Sequence, residues 1–271
     1  RLAEDGVLIR RLELEGAADL DPSDGTRPPC ALPEGDWRRV SVSIGSTEAK
    51  LADGKLASLD GRIAVRAPVP LGHRFIDIAP VTGWVELDLE EAHFAEGDRL
   101  PTVRGKLRAD ALGIDAKAIA HEVEADIAIR EEAVEVTDLK VRWAGARARI
   151  GSATVKPFDE GVPLEAKNIL VEGADMYDLL DDINVHPDAH VSWKLERSTV
   201  ERFGGTLSPV GLSGLMKSET SDFGIYDRSA RDPKRRKLMG VERGTATGTF
   251  RVTPEGVVLQ NYTVDTGRSR V

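Results

Sequence analysis

Apolar and polar residues alternate one by one along much of this chain. The alternation is plain in Val40-Ser41-Val42-Ser43-Ile44, Val85-Glu86-Leu87-Asp88-Leu89, Ala125-Asp126-Ile127-Ala128-Ile129 and Val191-Ser192-Trp193-Lys194-Leu195. Successive side chains of a strand point to opposite faces of a sheet, so a period of two makes each stretch a half-buried strand. Gly54, Gly61, Gly83, Gly105, Gly145, Gly151, Gly173 and Gly256 stand between such stretches, often beside Asp, Glu or Pro, which is turn chemistry. Many strands at hairpin spacing predict an all-β fold, a long antiparallel sheet with one apolar and one polar face. One short helix is expected near 174–183, where Met176, Leu179, Leu180 and Ile183 share a face before His186-Pro187 stops it.

Three stretches carry one detailed pattern. They are Gly6-Val7-Leu8-Ile9-Arg10-Arg11-Leu12-Glu13-Leu14, Ala133-Val134-Glu135-Val136-Thr137-Asp138-Leu139-Lys140-Val141 and Gly256-Val257-Val258-Leu259-Gln260-Asn261-Tyr262-Thr263-Val264. In each, alternation breaks at a polar residue (Arg11, Asp138 or Asn261) and resumes one residue out of phase. A slip of one residue would turn every later apolar side chain to the other face. A β-bulge at that residue absorbs the slip and keeps the apolar set together. A glycine follows each copy (Gly16, Gly145, Gly267), so the unit is strand, bulge, strand, glycine turn. Copy spacing is irregular, with a less regular insert expected over 203–244, so this is no fixed-period solenoid. The expectation is one continuous β-sheet segment over 1–271, part of a longer protein.

Composition removes several function classes. Acids at 46 outnumber bases at 37, for a formal charge of -9, which argues against nucleic acid as a partner. Lys234-Arg235-Arg236-Lys237 after Asp232-Pro233 has the look of a solvated loop. No run of about 18 apolar residues occurs, so no membrane span is expected within the segment. A single cysteine, Cys30, closes no intrachain disulfide. His186 and His190 stand four apart, but Pro187 prevents the helical turn that would converge them on a metal. Asp175, Asp178, Asp181 and Asp182 fit the solvated face of the expected helix, and Gly211-Leu212-Ser213-Gly214 lacks nucleophile-elbow spacing. No catalytic residue, metal site or cofactor is expected, and the chain reads as a non-enzyme. A carbohydrate-active sandwich would need paired carboxylates in an aromatic-lined cleft, and aromatics are 5% of the chain.

The repeat, clearest in Gly256 to Ser269, resembles the repeats of the TamB and AsmA-like family of Gram-negative envelope proteins. Looser similarity extends through Leu112-Gly113-Ile114-Asp115 and His186 to Trp193. That resemblance implies a sheet curled into a U-shaped, taco-like trough that spans the periplasm and carries phospholipid between inner and outer membranes. The family's inner-membrane anchor and C-terminal domain are not among these residues, so an interior section is implied. The groove lining would include Ile127 and Ile129, then Val134, Val136, Leu139 and Val141, then Val257, Leu259, Tyr262 and Val264, with phospholipid acyl chains as the partner. Two other readings stand beside it. One is a periplasmic scaffold that helps outer-membrane barrel proteins assemble by strand addition. The other is a lipid-free β-sandwich binding module, in which the same alternation packs sheet on sheet.

Overall fold

The computed structural model describes residues 7–17, 39–52, 55–70, 81–114, 117–143, 145–175, 190–226, 237–254 and 256–266. These residues form thirteen antiparallel strands in one sheet, with no α-helix among them. In chain order they are β1 (Val7–Ala17), β2 (Arg39–Ala52), β3 (Lys55–Pro68), β4 (Val81–Ala95), β5 (Thr102–Ile114), β6 (Lys117–Arg130) and β7 (Ala133–Trp143). There follow β8 (Ala146–Val155), β9 (Pro163–Asp175), β10 (His190–Leu207), β11 (Val210–Tyr226), β12 (Lys237–Thr253) and β13 (Gly256–Asp265). Sheet order equals chain order, so β1 and β13 are the outermost strands of a sheet that does not close on itself.

Of the expected helix, Ala174 and Asp175 are the last residues of β9, and 176–183 lie outside the described residues. Within 203–244 lie the end of β10, all of β11 and the start of β12, with 227–236 outside the described residues. The chain divides into two compact units, Arg1–Leu139 and Lys140–Val271.

Bulges hold the phase. Asp138 and Asn261, two of the three residues where alternation slips, have φ of 49° and 51°. In β13 the pairing moves from Thr247↔Thr263 to Thr249↔Gln260 across Asn261, so Leu259 before the bulge and Val264 after it share a face. The third expected position needs correcting. Arg11 has no positive φ; the left-handed residue is Ser46 (φ 50°) on the facing strand, between the pairs Ile9↔Thr47 and Arg11↔Gly45. A slip on two paired strands at the same level leaves their mutual register unbroken, and the shift shows instead where β2 meets β3.

The same device recurs at Ala111 (β5), Glu122 (β6) and Asn168 (β9), with φ of 52°, 51° and 55°. At β5 and β6 one carboxylate supports both bulges, since Asp110 Oδ1 accepts from the backbone N–H of Ala111 (2.8 Å) and of Glu122 (3.2 Å).

With phase maintained, apolar residues line up across strands. In the first unit one row runs Ile44, Ile63, Leu89, Gly105, Ile127 through β2 to β6, and the next runs Val42, Val65, Leu87, Leu107, Ala125. In the second unit Ile150, Ile169, Val200, Met216 and Gly248 form a row through β8 to β12, flanked by Ala153, Ala166, Phe203, Gly214, Phe250 and Leu259 through β8 to β13.

The opposite face carries charge rows of alternating sign. Arg66, Glu86, Arg108 and Glu124 succeed one another through β3 to β6, and Arg147, Glu172, Arg197 and Glu219 through β8 to β11. Distances such as 3.8 Å for Arg108–Glu86, with both side chains well exposed, make each pair worth a few tenths of a kcal/mol at most. Their larger effect is on register, since a slip would bring unlike rows out of opposition.

Replacing Asn261 with Val should lower stability by about 1–2 kcal/mol, because a β-branched residue tolerates the left-handed region poorly, whereas Asn261→Gly should change it little. Urea unfolding of the two variants checks this.

Candidate functional site

Among the described residues, the apolar face of each unit is an extended feature with the character of a binding surface. Its residues come from every second position of each strand, re-phased at the bulges, which is why the alternating sequence yields a continuous surface within each unit.

In the first unit, Leu89, Ala92 and Val103 are buried, with Ile63, Leu87, Phe94, Ile127 and Ile129 packed around them. Those five are only half-buried although β3, β4 and β6 each have strands on both sides. In a sandwich the opposing sheet would bury such central side chains almost completely.

In the second unit Ala146, Ala174 and Leu195 are buried at 1%, 2% and 3% exposure, with Val171, Met216 and Tyr262 packed on them. Tyr262 is on β13, three strands from Leu195 on β10, a step of about 14 Å on a flat sheet. A tyrosine side chain does not bridge that distance, so the face is concave here.

Two glycines make room for the aromatics that bridge strands. A Cβ on Gly248 would lie 2.3 Å from Cδ2 of Tyr262, so this ring lies over β12 and reaches toward Ser218 on β11. A Cβ on Gly214 would lie 3.1 Å from the Phe250 ring, and Phe250 stacks on Phe203 with centroids 5.4 Å apart. An aromatic covering a strand glycine restores the apolar burial that the missing side chain gives up.

Several polar side chains buried on this face bond within it. Ser198 and Ser218 face each other at 2.9 Å, Thr220 donates to the Lys194 carbonyl at 3.1 Å, and Thr47 donates to the Gly45 carbonyl at 3.1 Å. Burial pushes the Tyr262 phenol well above its ordinary value of 10.0, and hydrogen bonding with Ser218 offsets part of that rise.

The residues expected to line a groove fall as follows. Ile127 and Ile129 belong to the cluster in the first unit. Val134, Val136, Leu139 and Val141 are half-buried on one face of β7, with the exposed Glu135, Thr137, Lys140 and Arg142 on the other. In β13, Leu259 sits opposite Phe250 and Val264 opposite Ala246, Val257 takes the register position opposite Val252, and Tyr262 packs over Gly248. Leu259 is 44% exposed and Val264 is 7% exposed.

Ile63, Leu87 and Leu107 in the first unit and Phe203 and Phe250 in the second belong to the apolar faces of their units and were missing from the expected lining. Alternation such as Val85-Glu86-Leu87-Asp88-Leu89 signals the first group. Nothing local signals the stacking of Phe203 on Phe250, 47 positions apart in the sequence.

Among the described residues no three His, Cys, Asp or Glu gather as a metal site would need. Gly211-Leu212-Ser213-Gly214 is a run of β11. Cys30, His186, Asp178, Asp181, Asp182 and Lys234 to Arg236 lie outside the described residues. Among the described residues no helix is long and apolar enough to cross a membrane. No protein-family model, curated protein or solved structure matches this chain.

The raised Tyr262 pKa sets the direction of an alkaline effect. The unfolded chain releases this proton as pH passes its ordinary value of 10.0, while the folded chain still holds it, so stability falls with rising pH from there. Tyr262→Phe should flatten that fall, as urea midpoints compared at about pH 8 and about pH 11 would reveal.

Proposed function

We propose that this chain is a non-enzymatic lipid conduit whose apolar face shelters phospholipid acyl chains as they move between two membranes. One observation carries the reading: the aliphatic side chains at the centre of the sheet in the first unit are only partly buried, with strands on either side of them. A face of this kind needs a cover, since soluble chains rarely leave contiguous apolar surface beyond a few hundred Å² open to water. An acyl chain is a suitable cover, gaining about 0.8 kcal/mol for each methylene it buries and requiring no directional contact. The rows of Ile, Val and Leu hold no charge to obstruct a sliding chain.

The likeness of the repeat to TamB and AsmA-like proteins supports the Gram-negative periplasm as the setting, with flow between inner and outer membranes. Burial energy does not depend on direction along the face, so direction and drive belong to partners at its ends.

The reading is tested by native mass spectrometry and lipid extraction of the chain purified from a Gram-negative host. Phospholipid should accompany the unaltered chain and be lost from Val136→Glu/Leu259→Glu, with circular dichroism unchanged. Gln260→Glu, an exposed change next to Leu259, serves as the control and should retain lipid. Lipid-free protein from all three, equally folded, would remove the proposal.

A further inference from the structure

The charged face of the first unit carries a depression of about 410 Å³ that extends from β2 to β6. Two bulges at one level of the sheet border it. On β2 the left-handed Ser46 lies between the pairs Gly45↔Arg62 and Glu48↔Asp60. On β4 the pairing moves from Gly61↔Ala92 to Ile63↔Leu89, so Glu90 and Glu91 together oppose Arg62. Bulges bend a strand and re-aim the side chains around them, and they recur beside functional sites for that reason.

The charges around the depression do not close on one another. Arg62, Arg104 and Arg130 line it together with Glu90 and Glu91, and none of these five exposed side chains makes an ion pair among the described residues. Their positions favour pairing, since Arg62 faces both glutamates and Arg104 is the register partner of Glu91. Elsewhere on the same face such neighbours do meet, Arg108 with Glu86 and Lys106 with Asp126, each at 3.8 Å. His93 and Asp60, also at the depression, are engaged with each other by a hydrogen bond. Three bases and two acids are left around one space, with one positive charge in excess.

Open groups of both signs suit a ligand that carries both signs. Guanidinium groups hold phosphate oxygens through paired N–H donors, and carboxylates accept from an ammonium. A phosphate monoester carries close to two negative charges at neutral pH, so joining it to one ammonium leaves a single negative charge, the complement of the protein's excess. We infer that this depression binds a small aminoalkyl phosphate, with Arg62, Arg104 and Arg130 on the phosphate and Glu90 and Glu91 on the ammonium. The site lies on the face opposite the apolar rows, so the inference is independent of what covers those rows.

Isothermal titration of the 271-residue chain with phosphoethanolamine tests it. Binding is expected, with ethanolamine and inorganic phosphate each about fivefold weaker or more, because each engages one set of charges. Arg104→Gln/Arg130→Gln should weaken phosphoethanolamine binding about tenfold. Glu90→Gln/Glu91→Gln should weaken it by a similar factor without weakening inorganic phosphate, a pattern that general damage to the sheet does not produce. Arg108→Gln, on the same face but paired with Glu86, is the control and should change neither. Glycerophosphoethanolamine, the diester of a lipid headgroup, separates two sources of the ligand: tighter binding than the monoester assigns the site to a headgroup, weaker binding to a soluble phosphate. Absence of binding, inorganic phosphate binding as tightly as phosphoethanolamine, or an equal loss in Arg108→Gln would overturn the inference.

Discussion

A strand has only two sides, and a shift of one residue exchanges them; everything built on this sheet depends on how that exchange is prevented. Strands of ten to eighteen residues twist and bend, and the chain accommodates the bending by inserting single residues rather than by ending the strand. Each inserted residue would invert all that follows it. Left-handed residues at Ser46, Ala111, Glu122, Asp138, Asn168 and Asn261 undo the inversion locally, at a cost of about 1 kcal/mol each for a non-glycine residue. That cost is tolerable because several side chains downstream of each bulge keep their burial as a result.

Once phase is kept, the two faces acquire separate roles. Rows such as Val42, Val65, Leu87, Leu107 and Ala125 provide cohesion without direction. Rows such as Arg66, Glu86, Arg108 and Glu124 contribute little stability yet discriminate between registers. The glycines at 214 and 248 join the two demands in the second unit, because they let Phe250 and Tyr262 lie along the concave face and link strands that are not neighbours.

The period-two pattern made the all-β antiparallel fold legible, and phase slips at Asp138 and Asn261 located two bulges to the residue. The slip at Arg11 misled because a bulge can be carried on the facing strand, and sequence alone does not say which partner will bend. The β6–β7 turn was also illegible. Glu131 and Glu132 both have positive φ, 49° and 61°, as in a two-residue hairpin turn usually signalled by Asn-Gly. There the flanking strands impose the turn on residues with no preference for it. Of the lining, the positions on β6, β7 and β13 were readable from alternation, whereas strand-bridging contacts such as Tyr262 over Gly248 depend on curvature that no local pattern encodes.

On the proposal made above, the apolar face is open and lipid covers it. The most direct test places a photo-crosslinking amino acid in turn at Leu87 and Leu107 on that face and at Asp88 and Arg108 on the other, then irradiates cells and analyses the adducts. Lipid adducts are expected from Leu87 and Leu107 and none from Asp88 and Arg108. Crosslinks from Leu87 and Leu107 that join only protein to protein would contradict it, because that face would then be a core already filled by polypeptide.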